Sequence, residues 1–125
     1  MIDVKELSCL ALAFLGDAYH TLYIREKVLN SNKNTQKNYH TIASKYCNAK
    51  SQKQALESIY DILNEDEKEI IRRARNAKAK HGAKNYSEED YKKATAFEAL
   101  IGYLYASSNV DRLNELLNIV YKDLE

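Results

Sequence analysis

The sequence predicts an all-α fold, a bundle of helices. Three observations carry this. There is no proline and there are only three glycines, Gly16, Gly82 and Gly102, in 125 residues. Apolar residues recur at spacings of three and four. Turn chemistry appears only at a few punctuated points, where hairpins and sandwiches need it every few residues.

In chain order, Leu7, Leu10, Ala11, Phe14, Leu15, Ala18 and Leu22 place a first helix over roughly residues 3–29. The spacing breaks slightly at Gly16, which suits either a kink or the close approach of a second helix. Residues 30–34 read as a turn. A second helix is expected to run on to about Leu63, with Ile42, Tyr46, Ala49, Leu56, Ile59 and Leu63 facing inward. Asn64 then has the character of an N-cap, with Glu65, Asp66 and Glu67 at the positive end of the next helix dipole. That third helix carries Ile70 and Ile71. A loop is expected around residues 80–86, which contain Gly82. Ser87, with Asp90 in the capping-box position, opens a fourth helix through Ala94, Phe97, Leu100, Ile101 and Leu104. Ser108 or Asn109 starts the last one, which uses Leu113, Leu116, Leu117 and Val120.

The longest apolar run, residues 9–15, is too short to span a bilayer, and Asp3 and Glu6 before it do not suit a signal peptide. Cys9 and Cys47 lie among apolar positions of helical spacing and read as reduced core thiols, so a cytoplasmic protein is expected. Net charge is only +1, but it is unevenly spread. Residues 27–56 hold six lysines and no acid; residues 70–87 hold three arginines and three lysines, again with no acid. Two such blocks suit either a polyanion-binding face or ordinary solvated helix surfaces.

Two carboxylates stand where carboxylates are costly. Asp17 lies within Phe14-Leu15-Gly16-Asp17-Ala18, and Glu98 within Ala96-Phe97-Glu98-Ala99-Leu100-Ile101-Gly102. Burying an unpaired carboxylate costs several kcal/mol, about 3 or more, so each needs a partner or a wet cleft. Pairing with arginines or helix ends, service as a general base, and joint tenure of a divalent cation all remain open. His20, His40 and His81 form no metal-ligand or catalytic spacing.

The stretch Leu12-Ala13-Phe14-Leu15-Gly16-Asp17-Ala18-Tyr19 resembles the signature segment of the ribonuclease III family. About eighty residues later, Ala96-Phe97-Glu98-Ala99-Leu100-Ile101-Gly102-Tyr103-Leu104-Tyr105 resembles its second catalytic segment. The chain length, the segment Arg72-Arg73-Ala74-Arg75-Asn76-Ala77 and the context Thr95-Ala96-Phe97-Glu98 resemble the stand-alone Mini branch, which has no double-stranded-RNA-binding domain attached. The resemblance covers essentially the whole chain and implies one ribonuclease III-type catalytic domain over residues 1–125.

By that resemblance Asp17 and Glu98 match catalytic positions that bind Mg²⁺. The chain would then be a homodimeric endonuclease that cuts double-stranded RNA to 5′-phosphate and 3′-hydroxyl ends, in maturation of the large-subunit (23S) ribosomal RNA precursor. Arg72, Arg73, Arg75, Asn76, Lys78, Lys80 and Lys84 are the expected RNA contacts, with one or two arginines serving instead in salt bridges to the acids of residues 65–69. Family members outside the Mini branch have further acids at the positions of Leu10, Ala13 and Thr95. Their absence leaves a thinner, more water-filled metal site. It also supports the competing reading, a non-catalytic helical RNA-binding or dimerisation module of the same fold. A surface that meets a second copy is expected on the first helix between Leu10 and Tyr23, which has more apolar area than one small bundle can cover.

Overall fold

The computed structural model describes residues 3–31, 38–77 and 87–124. Among them there are six α-helices and no strand: α1 (Cys9–Asn30), α2 (Tyr39–Ser44), α3 (Ala49–Ile59), α4 (Glu65–Asn76), α5 (Glu88–Ala106) and α6 (Val110–Val120). Short 3₁₀ turns cover Val4–Glu6 and Tyr60–Ile62. The fold class matches the expectation. No helix among the described residues is long and apolar enough to cross a membrane.

α5 is the hub and packs against α1, α3, α4 and α6. Its sequence explains this: Ala94, Ala96, Phe97, Ala99, Leu100, Ile101 and Leu104 are all buried, so the helix is apolar on nearly every side. Small residues on that surface let neighbours come close.

Three features differ from the sequence-based expectation. The first helix begins at Cys9, because the Ser8 hydroxyl accepts from the backbone N–H of Ala11 and starts a new helix after the 3₁₀ turn. The expected second helix is two, since Asn48 caps α3 through its side chain (Ser51 N–H, 2.9 Å) and residues 45–48 form the corner. Cys47 therefore sits in that corner, half-buried, and both cysteines are free thiols. The buried face of α1 is also not the one whose spacing is most regular. Cys9, Leu12, Ala13, Gly16, His20, Ile24 and Val28 face the core, whereas Leu10, Phe14 and Leu22 are exposed. Two apolar stripes run along this helix, and only one is covered within the chain.

α4 is anchored more firmly than its three leading acids suggested. Glu67 completes a capping box with Asn64 and is itself buried. Both of its oxygens accept from Arg112 of α6 at 2.9 Å, and Arg112 also donates to the Ile62 carbonyl at 2.8 Å. Desolvation alone would raise the Glu67 carboxyl's pKa. The Arg112 guanidinium and the Asn64 N–H more than offset it and hold the group below the usual range. The other start signals read from the sequence hold in part: Ser87 caps α5 through the Asp90 N–H, and Asn109 precedes α6 without a side-chain cap bond.

Candidate active site

The site forms where α1 crosses α5. Gly16 and Gly102 are the contact points. A Cβ on Gly16 would fall on the Glu98 carbonyl oxygen and lie 2.8 Å from the Gly102 nitrogen; one on Gly102 would fall on the Leu12 carbonyl. Only residues without side chains allow this backbone-to-backbone approach. Gly16 thus admits a helix, and α1 is unbroken from Cys9 to Asn30. The crossing brings together residues about eighty positions apart, Asp17 beside Gly16 and Glu98 one turn before Gly102.

The two carboxylates meet there. Asp17 is exposed, on the border between the covered and uncovered stripes of α1, and Glu98 is half-buried. Burial, and then the adjacent Asp17 carboxyl within hydrogen-bonding reach, push the Glu98 pKa well above the ordinary carboxylate range. Two like charges side by side, one of them poorly hydrated, favour either a shared proton or a cation. Behind Glu98 the Gln52 side-chain amide donates to Oε2 at 3.2 Å. That same nitrogen lies 3.5 Å from His20 Nδ1, and His20 Nε2 lies 2.6 Å from the Tyr121 hydroxyl. His20 is wholly buried, and burial lowers its pKa to about 4 against a weaker opposing pull from Asp17.

Gln52, His20 and Tyr121 were not identified from the sequence. His20 carried a signal in being three residues after Asp17 on one helix face. Its partners, 32 and 101 residues away, did not. The positions of the absent family acids are filled without polar function: Ala13 and Thr95 are buried, and Leu10 is part of the exposed apolar stripe. Among the described residues there is no cluster of three or more His, Cys, Asp or Glu side chains able to hold a metal.

The arginines of the second basic block lie elsewhere. Arg72 forms a two-pronged bond to Glu69 (2.9 and 2.6 Å). Arg75 reaches across to Glu89 of α5 at 2.9 Å. Arg73 is exposed, with no ion pair among the described residues, and Asn76 is exposed at the last position of α4. Glu89 precedes Glu98 by nine residues, a rise of roughly 14 Å and about half a turn of azimuth. Within one chain the carboxylate pair and the arginines are therefore on different sides of α5. Lys78, Lys80 and Lys84 lie outside the described residues.

Known proteins resemble this chain along nearly its whole length. A family model described as the Ribonuclease III domain matches residues 10–109. A "Mini-ribonuclease 3" of Thermoanaerobacter sp. (strain X514) is 43% identical over 123 residues, covering 98% of this chain and 86% of that protein. A "Mini-ribonuclease 3" of Kosmotoga olearia is 42% identical, covering 96% and 81%. A crystal structure of a protein from Fusobacterium nucleatum superposes with a TM-score of 0.87 at 33% identity, covering 98% of this chain and 99% of that one. The glycine crossing, the paired carboxylates it creates and these matches together show that the chain belongs to the ribonuclease III family of endoribonucleases, in its Mini-ribonuclease 3 branch.

Proposed function

We propose that this chain is a Mg²⁺-dependent endonuclease of double-stranded RNA whose metal is held by Asp17 and Glu98. The observation that carries the reading is the meeting of these two carboxyls at the α1–α5 crossing. The donor set suits the ion, because Mg²⁺ is commonly held by one or two carboxylates, with waters and substrate phosphates completing its shell. The raised Glu98 pKa also suits it, since a dication compensates the burial and then the nearby Asp17 carboxyl, which disfavour the charged form. When bound, such an ion activates a water and neutralises charge on the phosphate.

The chain's own residues supply the rest. Asp17, exposed, holds its side of the site open to solvent and substrate. Glu98, backed by Gln52, offers a carboxylate of restricted orientation. Hydrolysis by this route leaves a 5′ phosphate and a 3′ hydroxyl. Duplex RNA is read mainly through shape, 2′-hydroxyls and phosphates, a task for the exposed cations Arg73 and Arg75, for Arg72, Asn76, and for Lys78, Lys80 and Lys84. The uncovered stripe of α1, with Phe14 83% and Leu22 58% exposed, is the surface through which two copies form a homodimer. Asp17 borders that stripe, so pairing the copies along it brings two sites to one duplex. The large-subunit (23S) ribosomal RNA precursor in the cytoplasm is the substrate and setting of this reading, with residues 1–125 acting as one catalytic domain.

The test is cleavage of long double-stranded RNA with and without Mg²⁺, against single-stranded RNA and DNA as controls. Asp17→Asn and Glu98→Gln remove charge without removing volume. Each should keep the fold and reduce cleavage by about a hundredfold or more. Near-normal turnover in either variant removes that residue from the site.

A further inference from the structure

Behind the carboxylate pair a line of polar side chains runs through an otherwise apolar core, and it ends far along the chain. Gln52 of α3 is buried, His20 of α1 is wholly buried, and Tyr121 follows the end of α6 and is buried too. Buried polar groups need directed partners, and here each partner dictates the next. Ionised, as holding a cation requires, Glu98 accepts, and the Gln52 atom facing it is the amide nitrogen. The same nitrogen lies 3.5 Å from His20 Nδ1, and facing a donor this ring nitrogen is the unprotonated one. The proton is left on Nε2, which donates to the Tyr121 oxygen at 2.6 Å. The imidazole cannot easily turn: Phe97 meets it edge-on at 5.6 Å, and Tyr121, itself flanked by Tyr46 and Tyr23, lies 5.6 Å from it. One tautomer of one histidine thus fixes which way an amide faces, and that amide fixes a carboxylate.

We propose that Gln52 is a positioning residue that sets the orientation of the Glu98 carboxylate, and that the Tyr121–His20 pair holds the Gln52 amide in the facing that does so. This rests on the reading of Asp17 and Glu98 as metal-holding groups, and it adds three residues that touch neither metal nor substrate. A divalent ion with strict angular demands binds best to a carboxylate already aimed at it. An apolar side chain of similar volume at position 52 would fill the core equally well but would aim nothing.

The experiment uses Mn²⁺ as a paramagnetic probe of the RNA-free protein, alongside Mg²⁺ titrations of cleavage. Gln52→Met keeps volume and loses the donor; Tyr121→Phe loses only a hydroxyl at the far end of the line. The expected result is Mn²⁺ binding weakened about tenfold or more in Gln52→Met and several-fold in Tyr121→Phe. Cleavage by both should be partly restored by raising Mg²⁺. Glu98→Gln serves as the reference. If it loses Mn²⁺ while both other variants bind like the wild type, positioning is overturned and the metal site stands. If Glu98→Gln itself binds like the wild type, the metal reading falls, and the positioning proposal with it. Should Gln52→Met not fold, Tyr121→Phe decides alone: unchanged Mn²⁺ affinity and an unchanged Mg²⁺ requirement overturn the proposal.

Discussion

Gly16 and Gly102 face each other across α1 and α5 so closely that a methyl group on either would occupy the position of the opposite helix's backbone. In an exposed helix, replacing glycine with alanine stabilises by up to about 1 kcal/mol. At this crossing the sign reverses, because the atoms in the way are carbonyl oxygens that cannot swing aside. Gly16→Ala and Gly102→Ala should each lower stability by about 3 kcal/mol, roughly 10 °C in Tm, and separate the two carboxylates. Thermal unfolding measures this; an unchanged Tm would mean that the helices do not cross at these residues.

The buried imidazole makes acid stability readable. Burial lowers the His20 pKa from 6.5 to about 4, so between those values the unfolded chain takes up a proton that the folded chain refuses. Stability contributed by the neutral ring is complete above pH 6.5 and is lost as pH falls toward 4, by up to about 3 kcal/mol. Glu98 works in the opposite sense. Its raised pKa favours the folded state at low pH, and that contribution is lost as pH rises above the ordinary glutamate value. The two slopes oppose one another in the wild type. In Glu98→Gln the histidine slope is no longer opposed by that carboxyl, so the variant's denaturant-derived stability should climb by about 3 kcal/mol from pH 4 to 6.5. A flat profile in that variant would show that His20 is protonated inside the fold.

Phe14 is the most exposed large apolar residue among those described, and it belongs to a stripe with Leu10 and Leu22. Phe14→Glu should leave the monomer's thermal stability nearly unchanged, since the side chain makes little use of the core. It should convert a species of twice the chain mass, measured by light scattering at micromolar concentration, into monomers that no longer cleave. A Phe14→Glu protein that remains dimeric would move the interface elsewhere.

Arg73 and Arg75 offer a test of RNA contact that activity alone does not give. Replacing both with glutamine should lower the slope of log affinity against log salt by about one or two units, because fewer counterions are released on binding. Arg75 already has a partner in Glu89, so Arg73 should account for the larger part. An unchanged slope would turn this face of α4 away from RNA.

What the sequence disclosed follows from the range of the interactions involved. Helix starts at Asn64 and Ser87 were legible because a cap and the N–H it serves lie within three residues. Asp17 and Glu98 stood out because charge within an apolar helix is anomalous wherever its partner is. The corner at residues 45–48 was hidden, since Tyr46 and Ala49 continue the helical apolar spacing on either side of the Asn48 cap. On α1 the period and the surplus of apolar surface were legible, but not which face the chain buries. A helix with two apolar stripes gives no internal sign of which one the chain itself covers. Gln52 and Tyr121 were invisible for a different reason: a glutamine and a tyrosine acquire meaning here only through a histidine that the fold brings to them.

The clasp between Glu67 and Arg112 has a further consequence for α4. The helix is fastened at its base by a buried pair and at its tip by the exposed Arg75–Glu89 pair, whose side chains are 43% and 49% accessible. Dissolved ions screen the second and hardly reach the first. Rising ionic strength therefore loosens only the outer pair, while buried Ile70, Ile71 and Ala74 keep the helix seated on α5. High salt then changes how the Arg75 charge is held without moving the helix that carries it.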